Sequence, residues 1–188
     1  MNNTESLSNS RARFTTRDLT LIGLMTAVTC IISPFAVPIP FSPVPITFGN
    51  LALFLSVYVL GMKKGFVSYV IYFLLGMAGL PVFSGFSGGM GKIAGPTGGY
   101  LIGFFFMILI AGFVIDQYHA KKAPAIAGMI LGSLVCNLIG TVWLSRQLGV
   151  SFAAGLASGV IPYLPGDIAK IIAAAIIGPV LRKAVSRL

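Results

Sequence analysis

Asp167 and Lys170 stand three residues apart in Leu164-Pro165-Gly166-Asp167-Ile168-Ala169-Lys170, at the head of a long apolar segment. On a helix this spacing puts both on one face. Asp167, in a first turn opened by Pro165, also meets the positive end of the helix dipole. Each charge at membrane depth costs about 2.5–3.5 kcal/mol on insertion scales, so such residues line a cavity or a pathway, or lock helices together as a salt bridge. A carboxylate beside an ammonium suits a ligand with one anionic end and other polar groups; a proton relay is the alternative use of the acid. Lys92, the one charge in the glycine-rich stretch 81–99, is either an anion contact or a side chain snorkelling into water. Thr47 and Asn50, three apart, offer donors and acceptors to a neutral polar group. Asn137 suits the same task or a hydrogen bond between helices, and Trp143 reads as an interfacial anchor.

Other chemistry lacks its parts. His119 is the single histidine, next to Lys121 and Lys122 in a polar connection, and Cys30 and Cys136 lie in apolar stretches without CxxC spacing. Neither a metal site nor a histidine-based catalytic relay follows from such residues. A phosphate loop of the form GxxxxGK[ST] would need Gly at 86 and Ser or Thr at 93, where Phe86 and Ile93 stand. The sequence therefore reads as a binding or transport protein, not an enzyme, with no cofactor of its own.

The elements that must position these residues are set by composition. Of 188 residues, 56% are hydrophobic and 9% charged, far from the quarter charged of a soluble domain, so the surrounding solvent is expected to be lipid. Apolar segments near 18–34, 47–62, 65–80, 98–115, 124–145 and 164–182 predict an all-α integral membrane protein of six transmembrane helices in one domain, 18–188, with irregular outer loops. Residues 1–17, polar and without the apolar core of a secretory signal, are expected to form a flexible cytoplasmic tail. Pro34, Pro38, Pro40, Pro43 and Pro45 are too dense for a helix and predict an irregular extended loop, packed against the protein because unpaired backbone cannot face lipid. A lid over a binding site is one use of that loop.

The net charge of +9 does not indicate nucleic acid, because the basic residues sit in short clusters between apolar runs. With six spans and an inside N-terminus, the inner side collects Arg11, Arg13, Arg17, Lys63, Lys64, Lys121, Lys122, Arg182, Lys183 and Arg187. The outer side collects Lys92 and Arg146. That asymmetry places both termini in the cytoplasm and the Asp167–Lys170 end outside. Gly128 and Gly132 form a small-residue pair suited to close helix packing, and Gly23 and Ala27 form another on the first helix. The second pair either packs within the protein or docks a helix of a separate subunit.

Four stretches, VPITFGNLALFL (44–55), GPTGGYLIGF (95–104), GTVWL (140–144) and LPGDIAK (164–170), resemble the biotin-specific S components, the BioY family, of energy-coupling-factor (ECF) transporters. The resemblance spans the membrane part, and GPTGGY with PGDxxK in this order is its specific core. It implies a plasma-membrane subunit that captures biotin from outside and works with a transmembrane T component and two cytoplasmic ABC-type ATPases. Asp167 and Lys170 match the family's acid and lysine; Gly95 and Tyr100 match GPTGGY, shaping the site with Tyr100 as a wall. Gly23 and Ala27 match the family's small-residue face for the T component, with Gly in place of the first Ala. Gly49-Asn50 stands where the family commonly has Gln-Thr. Biotin suits the residues: an apolar tail and thiophane ring for an apolar pocket, Lys170 or Lys92 for its carboxylate, and Asp167 with Asn50 or Asn137 for its ureido ring. An S component for another vitamin and an autonomous ion-coupled transporter are the alternatives.

Overall fold

Thr15 starts the first helix. Its hydroxyl accepts the Asp18 N–H and the Asp18 carboxylate accepts the Thr15 N–H, both at 3.2 Å, a reciprocal cap that opens the helix at Thr16. The computed structural model describes residues 14–40 and 42–187. Most of the expected tail, including Arg11 and Arg13, lies outside the described residues, while Thr16 and Arg17 already belong to the helix.

Helix α1 (Thr16–Ile32) leads into a two-stranded antiparallel hairpin, β1 (Ala36–Ile39) and β2 (Ser42–Thr47). The proline-rich run is thus not irregular, as the proline density had suggested. Val37 pairs with Ile46 and Ile39 with Ser42, and the register slips between them, where Pro38 lies. Pro38 falls at the slip and Pro40 in the turn beyond β1, positions where a missing N–H is tolerated.

Helix α2 (Gly49–Met77) contains a reversal at Gly61, whose φ of +75° and ψ of 178° leave the helical region. Residues eight apart on a straight helix are about 12 Å apart. Here a Cβ on Gly65 would lie 3.5 Å from the Cα of Val57, so residues 62–77 fold back along 49–60. The 29-residue element is two antiparallel segments. A short α3 (Met90–Ala94) follows in the glycine-rich stretch, then α4 (Gly98–Gln117), α5 (Lys122–Leu148), α6 (Phe152–Gly159), one 3-10 turn (Ile161–Tyr163) and α7 (Leu164–Ser186). The described chain is mostly helical. Four helical stretches are long and apolar enough to cross a membrane: α2, α4, α5 and the run Phe152–Ser186. With α2 counted as two segments and α1 added, six helical segments line up with the six apolar stretches of the sequence.

The most extensive helix packing is between α4 and α5. A Cβ on Gly99 would meet Trp143, on Gly103 Cys136, on Gly128 Val114 and on Gly132 Met107, each within 3 Å. Gly128 and Gly132 therefore do seat α5 on α4, as small residues do where helices pack without a hydrophobic driving force. Inside lie Phe54, Tyr58, Tyr69, Phe83, Met107, Ile108 and Met129, all buried. Outside, Leu24, Ile31, Phe106, Phe113, Leu138, Ile176 and Val180 are exposed, the arrangement of a protein solvated by hydrocarbon.

The two ends of the bundle differ. At one end the Arg17 guanidinium donates to the Val185 carbonyl oxygen, Lys64 pairs with Asp18, and Arg182 stands 3.6 Å from Asp116. Both the start of α1 and the close of α7 are therefore at this basic end. The hairpin, the glycine-rich stretch and the first turn of α7 gather at the other.

Candidate functional site

Pro165 and Gly166 open α7 so that Asp167 falls in its first turn and Lys170 one turn on. The Lys170 ammonium donates to Asp167 Oδ1 at 3.2 Å, and the Asn50 amide, from the first turn of the first segment of α2, donates to the same oxygen at 2.9 Å. The side chains of Lys170 and Asp167 are only 10% and 15% exposed, so both charges stand largely out of solvent and satisfy each other.

This cluster lies in the wall of a cavity at the hairpin end, with an empty volume of about 730 Å³ counting its open mouth. An apolar lining with a few placed polar groups is typical of small-molecule sites. The hairpin contributes Val44, Pro45, Ile46 and Thr47; α2 contributes Gly49, Asn50 and Tyr72; α4 contributes Tyr100, Leu101 and Phe104; α5 contributes Cys136 and Asn137. The apolar wall is held firmly. Tyr72 donates to the Val82 carbonyl at 3.1 Å and stacks edge-on to Phe83, and Tyr100 donates to the Gly159 carbonyl at 2.9 Å. Polar groups without a charge, from Ser33, Thr47, Ser84, Thr97 and Asn137, complete the lining.

The structure thus brings Asp167, Lys170, Asn50, Thr47, Tyr100 and Asn137 to one cavity. Asn137 makes no side-chain hydrogen bond to another helix among the described residues, so its amide is left to the cavity. Two of the residues expected to bind the ligand, Gly95 and Lys92, are not on the lining. Gly95 contributes its carbonyl to the Trp143 indole N–H at 2.9 Å, pinning the glycine-rich stretch to α5. The part-buried Trp143 indole thus spends its N–H within the protein. Lys92, on α3, is half-buried away from the cavity, and burial draws its pKa below the ordinary lysine value. Gly23 and Ala27 lie on an exposed face of α1, with nothing within 4 Å of the Cβ position of Gly23.

Sequence reasoning did not single out Tyr72, Phe104, Ser33 or Tyr163 as lining residues. Tyr163 carried a usable signal, two residues before Pro165. Tyr72 and Phe104 carried none, because an aromatic residue in an apolar helix reads the same whether it faces core, ligand or lipid.

Residues 3–187 match the model of the BioY family. The chain is 37% identical over 168 residues to the Biotin transporter BioY2 of Lactococcus lactis subsp. cremoris (strain MG1363), covering 89% of this chain and 91% of that protein. It is 39% identical over 161 residues to the Probable biotin transporter BioY of Pyrococcus horikoshii, covering 86% and 93%. The fold matches the crystal structure of the S-component for biotin from an ECF-type ABC transporter with a TM-score of 0.83 at 31% identity, over 89% of this chain and 91% of that one. A family match over nearly the whole sequence, with relatives and a solved structure that agree on both sequence and fold, shows that this chain belongs to the BioY family.

Proposed function

We propose that this chain is the substrate-capture component for biotin of an ECF-type transporter, binding the vitamin from the outside and handing it to a T component driven by two ATPases. The family consists of transport components and not enzymes. The observation that carries the reading is the Asp167–Lys170–Asn50 cluster set into an apolar, aromatic-walled cavity beneath a hairpin. Biotin has the complementary parts: an apolar ring and tail, and at one end a ureido group that both donates and accepts.

The gathering of Arg17, Lys64 and Arg182 at the end away from the cavity supports a cytoplasmic basic end with both termini inside, and a cavity that opens outward. The exposed apolar girdle supports a multi-pass protein of the plasma membrane. The unpartnered Gly23–Ala27 face supports docking of a T-component helix.

Isothermal titration of purified, ligand-stripped protein in detergent, with biotin and then with riboflavin and thiamine, tests the capture reading. Tight binding of biotin alone at about one site per chain, without nucleotide or metal, is the expected result. Folded protein that ignores biotin but takes up another vitamin would overturn the biotin assignment.

A further inference from the structure

The hairpin strand that walls the cavity is fastened at one point to the element carrying the ligand-binding acid. Tyr163, at the end of the 3-10 turn that runs into α7, is 7% exposed. Its hydroxyl lies 2.6 Å from Ser42 Oγ and within hydrogen-bond reach of the Val44 carbonyl oxygen. Ser42 Oγ in turn accepts the Val44 N–H at 3.1 Å. The phenol shares its one hydrogen between the Val44 carbonyl oxygen and Ser42 Oγ, and Ser42 Oγ also accepts the Val44 amide.

These bonds fall where the hairpin's own pairing is weakest. The register of β1 on β2 slips between Val37 and Ile39, and the prolines remove ladder donors. Two strands alone are marginal in water, so the hairpin's position over the cavity depends on what it docks against. Four residues beyond Tyr163 the adjoining helix α7 presents Asp167, and both residues line the cavity. Tyr100, bonded to the Gly159 carbonyl just before the turn, holds this base in place from the other side.

We propose that Tyr163 is a positioning residue, a latch whose hydroxyl holds β2 closed over the occupied cavity and thereby sets how slowly the ligand leaves. The inference rests on the capture reading. A ligand bridging Asp167 and the apolar wall secures the turn and the hairpin on either side of the latch, so occupancy and closure reinforce each other. Release requires the hairpin to lift, and lifting breaks the Tyr163 bonds. Entry takes place with the hairpin already lifted and does not involve them.

Biotin association and dissociation rates for the purified chain and for Tyr163→Phe, Ser42→Ala and the double variant test this. Tyr163→Phe keeps the buried ring and removes only the hydroxyl, so dissociation is expected to quicken on the order of tenfold with no fall in the association rate. Ser42→Ala should quicken release by less, and the double variant by less than the product of the two, because the same bond is lost in both. A purely structural role would instead lower the binding-competent fraction and the melting temperature while leaving the rate constants of the remainder unchanged. Unchanged dissociation in Tyr163→Phe, or independent effects in the double variant, would overturn the latch. Absence of biotin binding by the unsubstituted chain would instead overturn the capture reading.

Discussion

Asp167 Oδ1 accepts from both Asn50 and Lys170, and among the described residues Oδ2 has no partner. The cluster therefore has an acceptor to spare, while its two charges cancel. A second carboxylate brought to Lys170 would stand against Asp167, so the neutral cluster suits a ureido group better than a carboxylate, its N–H donating to Asp167 and its carbonyl accepting from the ammonium or the amide. With Lys92 off the cavity lining, the expectation that a lysine meets the biotin carboxylate loses one of its two residues. Asp167→Asn keeps the shape and the Asn50 contact but removes the charged acceptor. We expect it to weaken biotin on the order of 10- to 100-fold, the range of about 1.5–3 kcal/mol for a hydrogen bond to a charged group. Biotinamide, which lacks the carboxylate charge, should lose the same factor, as titration of both ligands against both proteins would read. A loss confined to biotin would place the carboxylate at this cluster.

At the scale of elements, apolar runs fixed the number of helical segments, because a membrane segment must be long, apolar and internally hydrogen-bonded. They could not fix the manner of turning. The break between the second and third segments was expected near Lys63 and Lys64, but the reversal is made by Gly61 alone, with Met62 to Lys64 already helical. The reason lies in a residue remote in sequence: the Asp116 carboxylate from the end of α4 accepts the Met62 N–H at 2.7 Å. No local pattern announces a cap supplied by another helix. The hairpin was hidden for a related reason, since proline density argues against helix but says nothing about which N–H groups a two-stranded ribbon can spare. At the site, the polar pair was legible from its cost in lipid, whereas the aromatic wall was not legible at all. Gly61→Ala tests the turn. Its Cβ would lie 2.8 Å from the Asp116 carboxylate at a φ of +75°, so strain and lost capping should destabilise the fold by about 1–3 kcal/mol. The melting temperature in detergent should fall. Because the turn is at the end away from the cavity, the molecules that remain folded should bind biotin with unchanged affinity.

Among the described residues, the cavity and the basic cluster occupy opposite ends of the bundle. On the capture reading proposed above, the drive comes from separate subunits, and the side of the bundle offers them a surface. On α1, Ile22, Met25, Thr26 and Thr29 face inward, and the Thr26 hydroxyl stands 2.9 Å from that of Ser68 on α2. This fixes the rotation of α1 and turns Gly23, Leu24 and Ala27 outward. A flat apolar strip of this kind lets a second helix approach closely, which in lipid supplies packing that bulkier side chains deny. Gly23 is ten residues before Ser33 on the cavity lining, or about 15 Å along a helix, and its Cβ position is open. Gly23→Leu should therefore leave biotin affinity and melting temperature as they are. In membranes that also contain the T component and the ATPases, the same variant should lose co-purification with them and ATP-dependent uptake of biotin. Retention of the complex by Gly23→Leu would move the docking surface off α1, while loss of biotin binding by the isolated variant would show that the two ends are coupled through α1 itself.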